Sequence, residues 1–311
     1  MKKLILSNNL TGYIAHAMFC WCNYEDTKVV YEDKLDWTKL NDYIDPDDDE
    51  IYIVGIPYFR SYDFSRVALS HSQFVYHMAS FGDEIQVPFN SPLVSTVSLI
   101  ESPLLTLRNH LRDDEETGNK MLLDELAVAH NQYHTYTFDD KVDKVPLDLA
   151  LLGNFFKDNL SMLAEGCPNS LYILRDRSYV VLKSLRANME AYIGKKEAQT
   201  KTSTVTYGGK YYNVAFVYAE EFQNELAHHL LKDFQSRKFD HLVVLVGSHT
   251  QSNDRLAVRT TADVDASLIA KAINGGKGKP QAASVFLSDT PSANFNIIIQ
   301  QLETSMSKGV L

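Results

Sequence analysis

Short apolar runs alternate with segments of helical spacing through the first 80 residues, and few folds accept that alternation. Residues 4–7, 28–31, 51–55 and 74–78 read as strands, the third of them almost wholly apolar. Between the first two, residues 12–22 place Ile14, Ala17, Met18 and Trp21 at helical spacing. Residues 37–43 and 66–70 read as further short helices. Strands separated by helices favour right-handed crossovers and a parallel sheet. Residues 92–163 read as mostly helical. Residues 179–197 read as a long polar helix with an apolar stripe of Val181, Leu185, Met189 and Tyr192.

From residue 202 the pattern changes. A tyrosine-rich hairpin around Tyr207-Gly208-Gly209-Lys210 precedes a strand at 214–218, a helix at 220–235 and a strand at 242–246. A helix over 263–273, capped by Asp263 or Asp265, follows. It leads into Asn274-Gly275-Gly276-Lys277-Gly278-Lys279. Glycines free the backbone and let successive N–H groups line a concave anion site, and the interleaved lysines add charge. Phosphate is the guest this composition suits; a plain tight turn is the alternative. Tyr207, Tyr211 and Tyr212 suit either a base-stacking platform or ordinary cross-strand packing.

At 311 residues the chain has room for about two domains with sizeable cores. With 45% hydrophobic and 23% charged residues it reads as a globular protein, and it contains no apolar run of the roughly 18 residues a membrane span needs. The apolar run after Lys2 and Lys3 is too short for a signal peptide. Cys20, Cys22 and Cys167 form neither a disulfide framework nor a zinc spacing, so a reduced cytoplasm is expected, a host's if the chain is viral. A net charge of −10 argues against duplex DNA. Yet between residues 254 and 279, Arg255, Arg259, Lys271, Lys277 and Lys279 outnumber Asp254, Asp263 and Asp265, so a local anion site fits an acidic protein.

Two motifs at opposite ends carry a family resemblance. The run from Val258-Arg259-Thr260-Thr261 through Asp263-Val264-Asp265 to the Gly275 loop and Ala282-Ala283-Ser284 resembles the substrate-binding DHHA1 domain of the DHH phosphoesterases. Arg259 falls on that domain's strand arginine. Gly275, Gly276 and Gly278 fall on loop glycines, Lys277 replaces a glycine, and Lys279 replaces the loop histidine. At the N-terminus, Ser7-Asn8-Asn9-Leu10-Thr11-Gly12-Tyr13 looks like the first DHH motif, His-Asn-Asp-Leu-Asp-Gly-Tyr. The resemblance spans nearly the whole chain and is nearest the oligonucleotide-degrading branch.

It implies an α/β fold: a parallel-sheet DHH-like domain over 1–165, a helical connector over 166–201, a smaller α/β DHHA1-like domain over 202–300 and a tail over 301–311. In the family, two divalent ions, usually manganese, activate water for phosphoester hydrolysis, and substrate binds between the domains. Here the positions of their ligands are degenerate. Ser7 stands for the histidine, Asn9 and Thr11 for the two aspartates, and Gly55 for the aspartate ending the third strand. His77-Met78-Ala79 aligns with Asp-His-His, and Asn131 or Tyr133 lies near the fourth aspartate. One imidazole and one amide do not replace that set. His71, His77 and Asp83, spaced by six, cannot form one cluster within a single helix or strand. His228-His229 reads as a helix-surface pair, His241 as a strand-end residue, and the thiols as buried.

The expectation is therefore a non-catalytic DHH-like protein without a cofactor. It would bind a nucleotide or short single-stranded oligonucleotide through Arg259, Gly275, Gly276, Lys277, Gly278 and Lys279. A scaffold role suits the acidic, tyrosine-rich surface equally, with a protein partner or a second copy of the chain. The rival expectation is an active manganese-dependent phosphoesterase with a divergent metal site.

Overall fold

A computed structural model describes residues 2–22, 27–33, 50–56, 74–80, 93–98, 101–114, 120–138, 143–161, 170–207, 209–249, 254–274, 276–287 and 295–307. The chain divides into two compact units, Met1–Leu185 and Arg186–Leu311. The helices expected at 37–43 and 66–70 lie outside the described residues.

The first unit is built on five strands: β1 (Lys2–Ser7), β2 (Thr27–Glu32), β3 (Glu50–Val54), β4 (Phe74–Ser80) and β5 (Leu93–Ser98). They lie in the order β2-β1-β3-β4-β5, and every neighbouring pair is parallel. Parallel strands buried on both faces read as continuous apolar runs, which is why Leu4-Ile5-Leu6 and Ile51-Tyr52-Ile53-Val54 are all fully buried. Helix α1 (Leu10–Trp21) follows β1 closely and buries Ile14, Ala17, Met18 and Phe19. Phe19 meets Tyr52 edge-on at 4.9 Å. Helices α2 (Pro103–Asp114), α3 (Lys120–Thr135) and α4 (Val145–Phe156) add a leucine-rich layer. Asp148 of α4, wholly buried, is held at 2.7 Å by both Nε and Nη2 of Arg175 on α5 (Leu171–Arg177).

The reading of 92–163 as mostly helical is corrected at its start, where 93–98 forms β5. Val94, Thr96 and Val97 are β-branched, and such side chains favour the pleated edge of a sheet over a helix. Helix α6 (Tyr179–Glu197) has the expected bounds, and the unit boundary falls inside it.

In the second unit six strands run in the order β10-β11-β9-β8-β7-β6. These are β6 (Lys201–Tyr207), β7 (Lys210–Tyr218), β8 (Leu242–His249), β9 (Asp254–Thr260), β10 (Lys277–Lys279) and β11 (Ala282–Leu287). Only β7 and β8 pair in parallel; the other pairs are antiparallel. Helices α8 (Ala266–Asn274) and α9 (Phe295–Ser307) share one core with Leu245, Leu256, Val258, Ala283 and Val285. Helix α7 (Gln223–Ser236) packs against β8 and β9. It begins later than its spacing suggests. The Tyr192 hydroxyl accepts from the N–H groups of Glu220 and Glu221 and holds them in a turn before the helix. No helix of the described residues is long and apolar enough to cross a membrane.

Candidate functional site

In an open parallel sheet, ligands collect beyond the carboxyl ends of the strands. Four of the positions that resemble metal ligands meet there. Ser7 closes β1, Gly55 follows β3, and Asn9 and Thr11 open α1. The Ser7 hydroxyl donates to Asn9 Oδ1 at 2.9 Å, and the Thr11 N–H donates to the same oxygen at 3.0 Å, so Asn9 is the N-cap of α1. Gly55 has φ of 76°, and a Cβ on it would lie 2.4 Å from the Ser7 hydroxyl. Both the backbone conformation and the contact require glycine.

A histidine that the sequence motifs do not mark completes the cluster. His130 of α3 reaches the Thr11 hydroxyl with Nε2 at 3.2 Å and the Ser102 hydroxyl with Nδ1 at 2.7 Å. Ser102 in turn accepts from the Leu104 N–H at 3.1 Å, and its own N–H donates to Asn131 Oδ1 at 2.8 Å. Burial, and secondarily the stacked His134 ring, push the His130 pKa down to about 3. The imidazole is therefore neutral, with one nitrogen donating and the other accepting, and both have hydroxyl partners.

His77 is placed by backbone register. It lies inside β4, which runs on to Ser80, and in register it is level with Ile53 rather than with Gly55. Asn131 does join through Ser102, whereas Tyr133 packs with Tyr136 and Phe138. A pair of hard dications wants several carboxylates and imidazoles. The network of Ser7, Asn9, Thr11, Ser102, His130 and Asn131 supplies hydroxyls, amides and one imidazole whose nitrogens are already engaged. Among the described residues no group of three His, Cys, Asp or Glu could hold a metal ion. These residues do not fit the ions.

The second cluster lies on the second sheet. From Lys277 onward the expected loop is instead a strand: β10 pairs with β11 through Lys277↔Ser284, Gly278↔Ala283 and Lys279↔Ala282. A Cβ on Gly278 would lie 2.3 Å from the Ala283 Cα, so glycine lets the two strands close. Gly276 is buried beneath the same hairpin, and Gly275 lies outside the described residues. Arg259 on β9 donates from Nη2 to Asn224 Oδ1 of α7 at 2.9 Å and from Nη1 to the Val258 carbonyl at 3.0 Å. Because β11 pairs Ala282 with Arg259 and Ser284 with Ala257, the register sets Arg259, Ala282 and Lys279 in one cross-strand row. Ala257, Ser284 and Lys277 form the next row on the same face. That face is opposite the Val258 and Ala283 face, which α8 and α9 cover.

Around this row the loop from β9 to α8 is well tied. Asp265 Oδ1 accepts from the Ser267 and Leu268 N–H groups at 2.8 and 3.4 Å, which decides the capping residue of α8. Asp263 pairs with His241 Nδ1, and the Tyr212 ring meets that imidazole at a tilt, centroids 5.5 Å apart. Tyr211 is exposed, and the Tyr207 side chain lies outside what is described. Cys20 and Cys22 are outside any disulfide and half-buried, not fully buried as expected; Cys167 lies outside the described residues.

A five-stranded parallel unit followed by a mixed-sheet unit, with a polar cluster at the ends of β1 and β3, defines the class: this chain has the fold of the DHH-domain proteins. No protein-family model matches it, and no curated protein matches it in sequence. Solved structures do. The DHH domain of a protein described as belonging to a family of ribosomal proteins superposes with a TM-score of 0.61 at 11% identity, covering 97% of this chain and 86% of that one. RecJ from Thermus thermophilus, in complex with Mn2+, gives 0.55 at 11% identity, with 99% of this chain and 52% of RecJ covered, so this chain spans about half of RecJ. The pGpG-specific phosphodiesterase PggH from Vibrio cholerae gives 0.54 at 12% identity, covering 99% of both chains.

Proposed function

We propose that this is a DHH-fold protein in which a neutral hydrogen-bonded network replaces the dimetal centre, and that it works by binding rather than hydrolysis. The observation that carries this reading is the His130 network. The residues at the ends of β1 and β3 satisfy one another, and the imidazole is held neutral between two hydroxyls. An engaged, low-pKa imidazole is a poor general base at neutral pH. Rebuilding a metal site would also require a carboxylate where Gly55 has room for no Cβ.

The ligand class follows from the other cluster. Arg259 and Lys279 share a row with Lys277 beside it, a cationic strip suited to phosphate. PggH acts on a dinucleotide by its description, which supports a nucleotide or short single-stranded oligonucleotide as guest. A protein partner or a second copy of the chain would bind elsewhere on the acidic surface. Cys20 and Cys22, outside any disulfide, suit a reducing cytoplasm.

The test is manganese titration by calorimetry on the full chain, followed by hydrolysis of a short labelled oligoribonucleotide in the same buffer. No stoichiometric ion binding and no cleavage are expected. Tight binding of about two ions with metal-dependent cleavage would instead establish an active phosphoesterase with a divergent site.

A further inference from the structure

The two edges of the second sheet are built differently. β10 at one end is three residues long with a lysine at each terminus, and short, charged strands are how natural sheets close an edge. β6 at the other end, Lys-Thr-Ser-Thr-Val-Thr-Tyr, is seven residues long, has no proline, and pairs with β7 residue for residue without a bulge. Its one charged residue is Lys201 at the start. The direction of each backbone group follows from β7. The Asn213 N–H donates to the His241 carbonyl just before β8, so Asn213 and every second residue of β7 face β8, and Tyr212, Val214 and Phe216 face β6. Their partners Val205, Ser203 and Lys201 complete that ladder. The N–H and C=O groups of Thr202, Thr204 and Thr206 therefore point away from the sheet, and among the described residues no strand pairs with that edge. All three threonines are exposed.

We propose that this edge is a dimer interface, in which β6 pairs antiparallel with β6 of a second copy of the chain about a two-fold axis through Thr204. Strands placed in this way pair all three outward-facing residues: Thr204 with Thr204, and Thr202 with Thr206 on either side. A register centred one residue away leaves Thr202 or Thr206 without a partner in β6. Threonine pairs on one face of an antiparallel ladder are mutually favourable. The same register sets Ser203 against Val205 and Lys201 against Tyr207, so no like charges meet across the axis. The β-branched residues favour the extended strand before it pairs, which lowers the cost of ordering it. Because the opposite edge is closed at β10, pairing stops at two copies. The interface needs no nucleotide.

The experiment is sedimentation equilibrium of the full chain over about a hundredfold range of concentration, read together with amide exchange along β6. The unaltered protein should pass from monomer to dimer. The amides of Thr202, Thr204 and Thr206 should gain protection as the dimer forms, while those of Ser203 and Val205 stay protected at every concentration. Thr204→Pro removes one outward N–H and no bond to β7, so it should keep the far-ultraviolet spectrum and dimerise at least about tenfold more weakly. Thr204→Lys sets two like charges face to face across the axis and should also weaken the dimer, less so in high salt. A chain that stays monomeric throughout the range overturns the proposal. So does protection at the three threonines that does not vary with concentration, which would mean that a segment of the same chain covers the edge. A dimer that survives both variants, or that leaves those amides unprotected, is held by another surface and overturns it equally.

Discussion

In an unfolded chain the imidazole of His130 takes up a proton near pH 6.5; in the folded protein, burial among Thr11, Ser102 and His134 lowers that pKa to about 3. The linkage has a definite sign. Between these values the unfolded chain binds a proton that the folded one refuses, so His130 favours unfolding increasingly as pH falls. Its full contribution to stability is present above pH 6.5 and is lost as pH drops toward 3. By about pH 5 the loss from this one residue is about 2 kcal/mol. Denaturant unfolding at neutral and mildly acid pH should show that loss, and His130→Gln, which does not titrate, should lack that part of the pH dependence even if it is less stable throughout. Parallel pH dependences for the two proteins would mean that His130 is not held neutral. The same network explains why Gly55 cannot be exchanged for an aspartate in isolation: the Ser7 hydroxyl occupies the space its Cβ needs.

Elements differ in how much of them a sequence discloses, and the difference is physical. β1, β3, α1 and α6 are legible because each has one uniform environment: a strand buried on both faces, or a helix with one apolar stripe. β5 is not, because its six residues mix serine and threonine with valine and leucine, and pairing with β4 decides its state. The β10–β11 hairpin hides for the same reason. A three-residue strand carrying lysines at both ends has no periodicity to read, and it exists because glycine permits close approach to Ala283. His130 escaped because its partner Thr11 lies 119 residues away; the neighbouring Asn131, near the fourth motif position, was the available signal. The hairpin makes a prediction at this scale. Gly278→Ala forces a Cβ against the Ala283 Cα and should lift β10 off the sheet, removing amide-exchange protection at 277–279 while α8 stays protected. Oligonucleotide affinity should fall with it, because Lys277 and Lys279 lose their rows. Unchanged exchange at 277–279 would show that the strand can shift to accept the methyl group.

Charge is not shared evenly over the whole molecule. Residues 1–178 contain 15 lysines and arginines against 28 aspartates and glutamates, whereas residues 179–311 contain 15 against 12. The net negative charge thus belongs to the part that carries the His130 network, and the part that carries Arg259, Lys277 and Lys279 is mildly basic. The second unit also has its own core, assembled from β6, β7, β8, β9, β11, α8 and α9. A fragment of residues 179–311, cut so that α6 stays whole, is therefore expected to fold alone with one cooperative thermal transition. Freed from the acidic unit, it should bind pApApA at least as tightly as the full chain at low salt, with the difference shrinking as salt screens the repulsion. The matching fragment of residues 1–178 should bind neither the oligonucleotide nor manganese. A second-unit fragment that folds cooperatively but no longer binds would mean that Arg259, Lys277 and Lys279 are insufficient. Binding that follows the fragment instead would place recognition within the second unit.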